Sequence, residues 1–126
     1  MKVTLSLLAF AFVFFVFPNQ ASAEFRAAKD MQKECSIALA VLEGTADKST
    51  ANALLVGECI GYVQGATDAA LAMAQNVSWY KVCMPDNIST ESLIHRFIAF
   101  VEENPKYTLA STAIEMMLGQ AFPCRK

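Results

Sequence analysis

One histidine, His95, and no C-x-x-C pair leave little from which a zinc site is ordinarily built. Neither G-x-S-x-G, nor a phosphate-binding glycine loop, nor H-E-x-x-H occurs, and no carboxylates are paired for acid–base work. A basic excess is missing too. Ten Lys and Arg against twelve Asp and Glu exclude general nucleic-acid binding and a basic face for anionic lipid. No segment alternates convincingly as a half-buried strand would, Val77 to Val82 being the single candidate. There is no internal repeat and no low-complexity linker. These absences point to one all-α unit, with no enzyme activity, metal, cofactor or nucleic acid expected.

What is present begins with an export signal. Lys2 supplies a short basic start, Val3 to Phe17 is an apolar run, and Ala21-Ser22-Ala23 is a small-x-small cleavage site before Glu24. The run is short of the ~20 residues a membrane span needs. An uncleaved anchor is the alternative. Cleavage after Ala23 leaves a single domain, 24–126, of 103 residues with nine basic and twelve acidic side chains. The apolar stretch Ala53–Ala74 is interrupted by Glu58, Gln64 and Asp68, so no second membrane span and no stable membrane association are expected.

Apolar residues then recur at helical spacing four times. Met31, Cys35, Ala38 and Leu42 mark a first helix ending near Gly44, followed by the polar loop GTADKST. Leu55, Cys59, Tyr62, Ala66, Ala69 and Met73 form one stripe of a second, from Ser49 or Thr50 to about Gln75. The stretch NVSWYKVCMPDNIST is irregular, with Pro85 barring a helix through it. Ser89 is a good N-cap for a third helix, with Glu91 in its first turn and Ile94, Phe97, Ile98 and Val101 on its apolar face, stopped by Asn104-Pro105. A fourth starts near Thr108, buries Ala110, Ala113 or Ile114, Met117, Leu118 and Ala121, and ends at Phe122-Pro123-Cys124. The expected fold is a small disulfide-stapled bundle of about four helices, arranged as two antiparallel hairpins.

Four cysteines in an exported chain read first as two disulfides. In an antiparallel hairpin, residues equidistant from the turn face each other. Cys35 and Cys59 are centred on residue 47, within GTADKST, while Cys83 and Cys124 are centred on the Glu103-Asn104 turn. Pairing Cys59 with Cys83 is harder, because the helix after Cys59 travels roughly 24 Å away and few residues remain to return. The expected bridges are therefore Cys35–Cys59 and Cys83–Cys124.

The segment CIGYVQGATDA, 59–69, carries the remaining puzzles. Gly57, Gly61 and Gly65 fall on one smooth side of the second helix, which suits close approach of another backbone. A ligand groove along that stripe is the alternative. Tyr62 is expected to face the core beside Cys59. Asp68 is an isolated acid without a firm role, and His95, with Glu91 one turn earlier, suits a surface ion pair better than a general base. The sequons Asn76-Val77-Ser78 and Asn87-Ile88-Ser89 are read as structural polar residues. Trp79, beside Tyr80 in the irregular connection, either plugs the end of the bundle or anchors a partner. Trp79, Tyr80 and Asp86 are the candidate partner-binding residues.

With these residues in place, the chain resembles the Rap/Tai family of type VI secretion amidase immunity proteins. The resemblance is carried by C-I-G-Y-V-Q-G-A-T-D-A, Cys83-x-Pro85, the amphipathic helix leading to Asn104-Pro105, and A-F-P-C ending at Cys124, with Cys35 upstream. It implies a periplasmic, all-helical and often homodimeric protein whose partner is a cell-wall amidase effector, a cysteine–histidine enzyme. Such a protein occludes the toxin's substrate groove and performs no chemistry itself. The competing reading is a small periplasmic carrier or chaperone, its helices with Met73, Met116 and Met117 holding an apolar ligand or client.

Overall fold

A computed structural model describes residues 25–124. The expected signal segment 1–23 and its cleavage point lie outside these residues. Four helices, α1 (Ala28–Leu42), α2 (Thr50–Asn76), α3 (Thr90–Glu103) and α4 (Ala110–Ala121), enclose one core. No strand forms among the described residues, including 77–82, and the one β-type pairing is an isolated bridge between Ala27 and Leu109.

Each helix boundary has a local cause. Gly44 adopts φ +76, the left-handed conformation that ends α1, and its N–H reaches Val41 O at 3.1 Å. Ser49 and Ser89 cap α2 and α3, their hydroxyls accepting from Asn52 N–H at 3.3 Å and Ser92 N–H at 3.1 Å. Asn104 closes α3 by donating its side-chain amide to Phe100 O at 2.9 Å. Neither α1 nor α4 has a side-chain cap. Instead Ala28 N–H donates to Thr108 O at 2.8 Å and Ala110 N–H donates to Arg26 O at 3.0 Å. The chain entering each helix thus satisfies the first N–H of the other. This is why α4 begins at Ala110 instead of near Thr108, whose carbonyl is engaged in the bridge.

Both expected disulfides are present. Cys35–Cys59 joins α1 to α2, with Cα atoms 5.1 Å apart and both residues fully buried. Cys83–Cys124 ties the α2–α3 connection to the end of α4, with Cα atoms 4.9 Å apart, and Cys83 N–H also donates to Phe122 O at 2.9 Å. Met31, Val63, Ile94, Phe97, Ile114 and Leu118 fill the core together with the first bridge. At the surface Gln32 links α1 to α3, donating to Ile98 O at 3.0 Å and to the Glu102 carboxylate at 3.1 Å. Glu102 also receives Lys29 at 3.3 Å. The Gln32 hydrogen bond first, and Lys29 second, hold that carboxyl below its usual pKa.

Three expectations need correction. The buried stripe of α2 is Cys59, Val63, Thr67, Ala70 and Ala74. Of the stripe read from the sequence, Tyr62, Ala66 and Met73 pack at its margin and Ala69 is exposed. Alanine and glycine on every side of this helix blur the period by which one face is recognised. In α1, Leu39 is buried and Leu42, on the final turn before the chain swings away at Gly44, is 47% exposed.

The third correction concerns the glycines. A Cβ built on Gly57, Gly61 or Gly65 meets nothing within 4 Å, so no backbone of the described chain packs against them. α2 turns its Cys59–Val63–Thr67 side inward, and the glycine side, with Leu54 67% exposed, faces out.

Each bridge closes a long loop, and the chain-entropy model gives about 3 kcal/mol for such a closure. Replacing Cys35 and Cys59 together by alanine should lower the unfolding free energy in urea by that amount. At roughly 4–8 °C per kcal/mol for a domain this size, the thermal midpoint should fall by more than ten degrees.

Candidate functional site

A recess of about 450 Å³ lies where the α2–α3 connection passes the α3–α4 turn. Trp79, Phe100, Lys106, Tyr107 and Met116 supply most of its chemistry, and Asn104, Gly119 and Gln120 complete the wall. Its volume falls in the range of ordinary ligand and peptide sites.

Two adjacent residues of the connection behave oppositely. Tyr80 is buried, and its hydroxyl donates to Glu115 O of α4 at 2.8 Å. Its ring lies where Gly119 leaves room: an added Cβ there would stand 3.4 Å from Tyr80 Cε2. Trp79 is 76% exposed, with its ring tilted against Tyr80 at 6.1 Å between centroids. The residue that plugs the bundle end is therefore Tyr80 and not Trp79, which corrects the reading of Tyr80 as a partner-binding residue. Trp79 is left as a large apolar surface held on a fixed neighbour.

Across the recess, Tyr107 stacks on Phe100 at 5.5 Å, and Lys106 Nζ lies 5.1 Å from the Tyr107 ring centroid. Met116 is 41% exposed and reaches this wall, whereas Met117 belongs to the core and Met73 packs at its margin. The result is an aromatic groove with one cation at its rim. Asp86, on the exposed turn after Pro85, does not line it.

The other candidates fall elsewhere. His95 Nε2 is 3.4 Å from Glu43 Oε1 of α1, a partner that its position in sequence does not suggest. Glu91 stands close, and the ligand atoms of Glu43, Glu91 and His95 lie within 4.8 Å of one another on the open surface. Tyr62 is half-buried at the margin of the core. Asn76 donates its side-chain amide to Ala72 O at 2.7 Å, closing α2, and Ser89 caps α3, so both sequons contribute structural polar groups. All four thiols are oxidised, which leaves no cysteine nucleophile. No described helix is long and apolar enough to cross a membrane.

A small all-helical scaffold with two disulfides and an aromatic groove suits a protein that works by binding. The model of the Rap1a immunity proteins matches residues 27–124, and the chain belongs to that family, whose members act against a toxin. No match was found among curated proteins or among solved structures.

Burial, and the Glu115 carboxylate second, raise the pKa of Tyr80 above its ordinary 10.0. A raised folded pKa gives stability that is complete below the unfolded value and lost as pH climbs through the folded one. Stability of the native chain should therefore fall above about pH 10 more steeply than that of Tyr80→Phe. At neutral pH the same substitution should cost about 1 kcal/mol for the lost hydrogen bond; denaturant titrations at both pH values measure the two effects.

Proposed function

We propose that this chain is a periplasmic immunity protein that occludes the active-site groove of a peptidoglycan amidase delivered by type VI secretion, with no catalysis of its own. Trp79 carries the reading. A tryptophan three-quarters exposed, braced by a buried tyrosine at the rim of an aromatic groove, is the kind of anchor around which protein interfaces concentrate their binding energy. Family membership supplies the toxin partner, and the disulfides suit an oxidising compartment such as the periplasm. The proposal places the contact on Trp79, Lys106 and Tyr107, and gives Tyr80 a supporting role and Asp86 a peripheral one. The carrier reading is weaker, because Met117 and Met73 are spent on the core.

The reading extends to a homodimer. Three helix-interior glycines each cost about 1 kcal/mol relative to alanine, and nothing within the described chain offsets that cost. A second copy lying along Gly57, Gly61 and Gly65, covering exposed Leu54, would do so. Sedimentation equilibrium should show a dimer for the native chain and a folded monomer for Gly61→Leu; equal association of both would remove this face from the interface.

The reading requires a cell-wall amidase whose periplasmic expression is toxic and is relieved by co-expression of this chain; a search of the adjacent genes for such an amidase, followed by that co-expression, tests it. Trp79→Ala should weaken toxin binding by at least 2 kcal/mol, about 30-fold in Kd, while leaving the melting temperature near that of the native chain. Undiminished binding by that variant would move the contact to another face.

A further inference from the structure

The two disulfides sit in opposite surroundings. Cys35 and Cys59 are both 0% exposed, inside the core between α1 and α2. Cys83 is exposed and Cys124 half-buried. The Cys83 amide is already covered by Phe122 O, which leaves the carbonyl and the sulfur-bearing side of the residue to solvent. Lys81 and Pro85, two positions to either side of it, are exposed as well. Thiol–disulfide exchange needs a thiolate to reach one sulfur of the bridge, so access decides which bridge reacts, and exposed bridges form the labile class. A fully buried bridge is reached only when the fold around it opens.

Opening the outer bridge leaves the rest of the fold its own supports. The inner bridge still joins α1 to α2. The Tyr80 hydroxyl still donates to Glu115 O, and Cys83 N–H to Phe122 O, since neither bond uses a sulfur. What is lost is the covalent tie across 41 positions between the α2–α3 connection and the end of α4. Trp79 lies four positions before Cys83 on that connection, and Gly119 and Gln120 of α4 share the aromatic groove with it.

We propose that Cys83–Cys124 is a thiol–disulfide exchange site of the folded protein, open to an external dithiol, and that it latches the aromatic groove. One thiolate of the dithiol attacks the sulfur of Cys83, the more exposed residue of the pair. A mixed disulfide forms there, and Cys124 leaves as a thiolate and takes up a proton. The second thiol of the donor, once deprotonated, attacks the donor's own sulfur in the mixed disulfide. The donor departs as a disulfide and Cys83 is released as a thiol. Two electrons have then passed from the dithiol to the outer bridge, and the inner bridge stays oxidised. With the latch open, the Trp79 wall is held at Tyr80 alone. The inference does not depend on the toxin reading.

The test incubates the chain, both disulfides formed, with excess dithiothreitol and no denaturant, quenches with N-ethylmaleimide at intervals, and reads the labelled peptides by mass. Cys83 and Cys124 should be labelled at least ~100-fold faster than Cys35 and Cys59, with the helical circular dichroism retained. The outer bridge should open at a rate that stays flat across sub-denaturing urea, because the folded chain is attacked directly. The rate for the inner bridge should climb with the unfolded fraction. Labelling of all four cysteines together, labelling of the inner pair first, or an outer-bridge rate that climbs with urea as the inner one does would overturn the site. Trp79 is the single tryptophan, so its fluorescence reports on the latch. Its local depolarisation should quicken several-fold both in the selectively reduced chain and in Cys83→Ser/Cys124→Ser. Unchanged depolarisation in the reduced chain would overturn the coupling to the groove, whether or not the double variant folds.

Discussion

The Cys35–Cys59 bridge holds the midpoint of α1 against α2 inside the core, not at its edge. Much of the architecture depends on that placement. α2 is rich in alanine and glycine and has few large side chains with which to choose the face it buries. The bridge supplies the choice covalently: once Cys59 points at Cys35, Val63, Thr67, Ala70 and Ala74 follow it inward at helical spacing. Gly57, Gly61 and Gly65 are then left on the outside. A helix with so weak a hydrophobic preference is a poor element for a small domain, and its orientation here comes from one bond more than from its own surface.

The second bridge acts on position more than on packing. Cys83 and Cys124 fix the α2–α3 connection to the end of α4 beside the Cys83 N–H to Phe122 O hydrogen bond. Tyr80, three residues earlier, is fastened to α4 through Glu115 O. Trp79 is thereby held between a helix end and an anchored ring. A loose connection would lose backbone freedom on binding; here the backbone beside Trp79 is already fastened at Tyr80 and Cys83. The opposite wall is constrained as well, since Tyr107 stacks on Phe100 and the bridge at Ala27 and Leu109 fixes the start of α4. Both sides of the groove are ordered by contacts among the residues that line it and the elements behind them.

Helix number, the Ser89 cap, Gly44 as a terminator and both disulfides were legible in the sequence because each rests on short-range chemistry or on hairpin symmetry. What was not legible depended on tertiary partners. The start of α4 shifts because Arg26, more than eighty positions away, occupies its first N–H. His95 pairs with Glu43, which no spacing along α3 suggests. Inside α2, the uniform small residues hid which stripe is buried, and with it the burial of Thr67. The groove was half legible. Trp79 stood out as a lone aromatic in an irregular segment, but Lys106, Tyr107 and Met116 come from elements that only folding brings beside it.

The suggestion of a strand at 77–82 shows how a correct local signal arises from a different cause. From Trp79 to Pro85, burial alternates residue by residue, with Tyr80, Val82 and Met84 turned in and Trp79, Lys81, Cys83 and Pro85 turned out. That is the period of a strand, yet no strand lies beside it. The inward set is received by the helices: Tyr80 is fixed to α4, and Met84 borders a hollow next to Thr67 of α2. Of the outward set, Cys83 is tied to Cys124, and Trp79 is the largest of the rest. The same alternation places one inward residue, Met84, on that hollow and one outward residue, Trp79, on the aromatic groove. One short connection thus packs on the helices with one set of side chains and presents the groove's tryptophan with the other. CIGYVQGATDA itself belongs to structure: Cys59 and Val63 settle the helix, Gln64 and Asp68 face solvent, and none of its residues lines the groove.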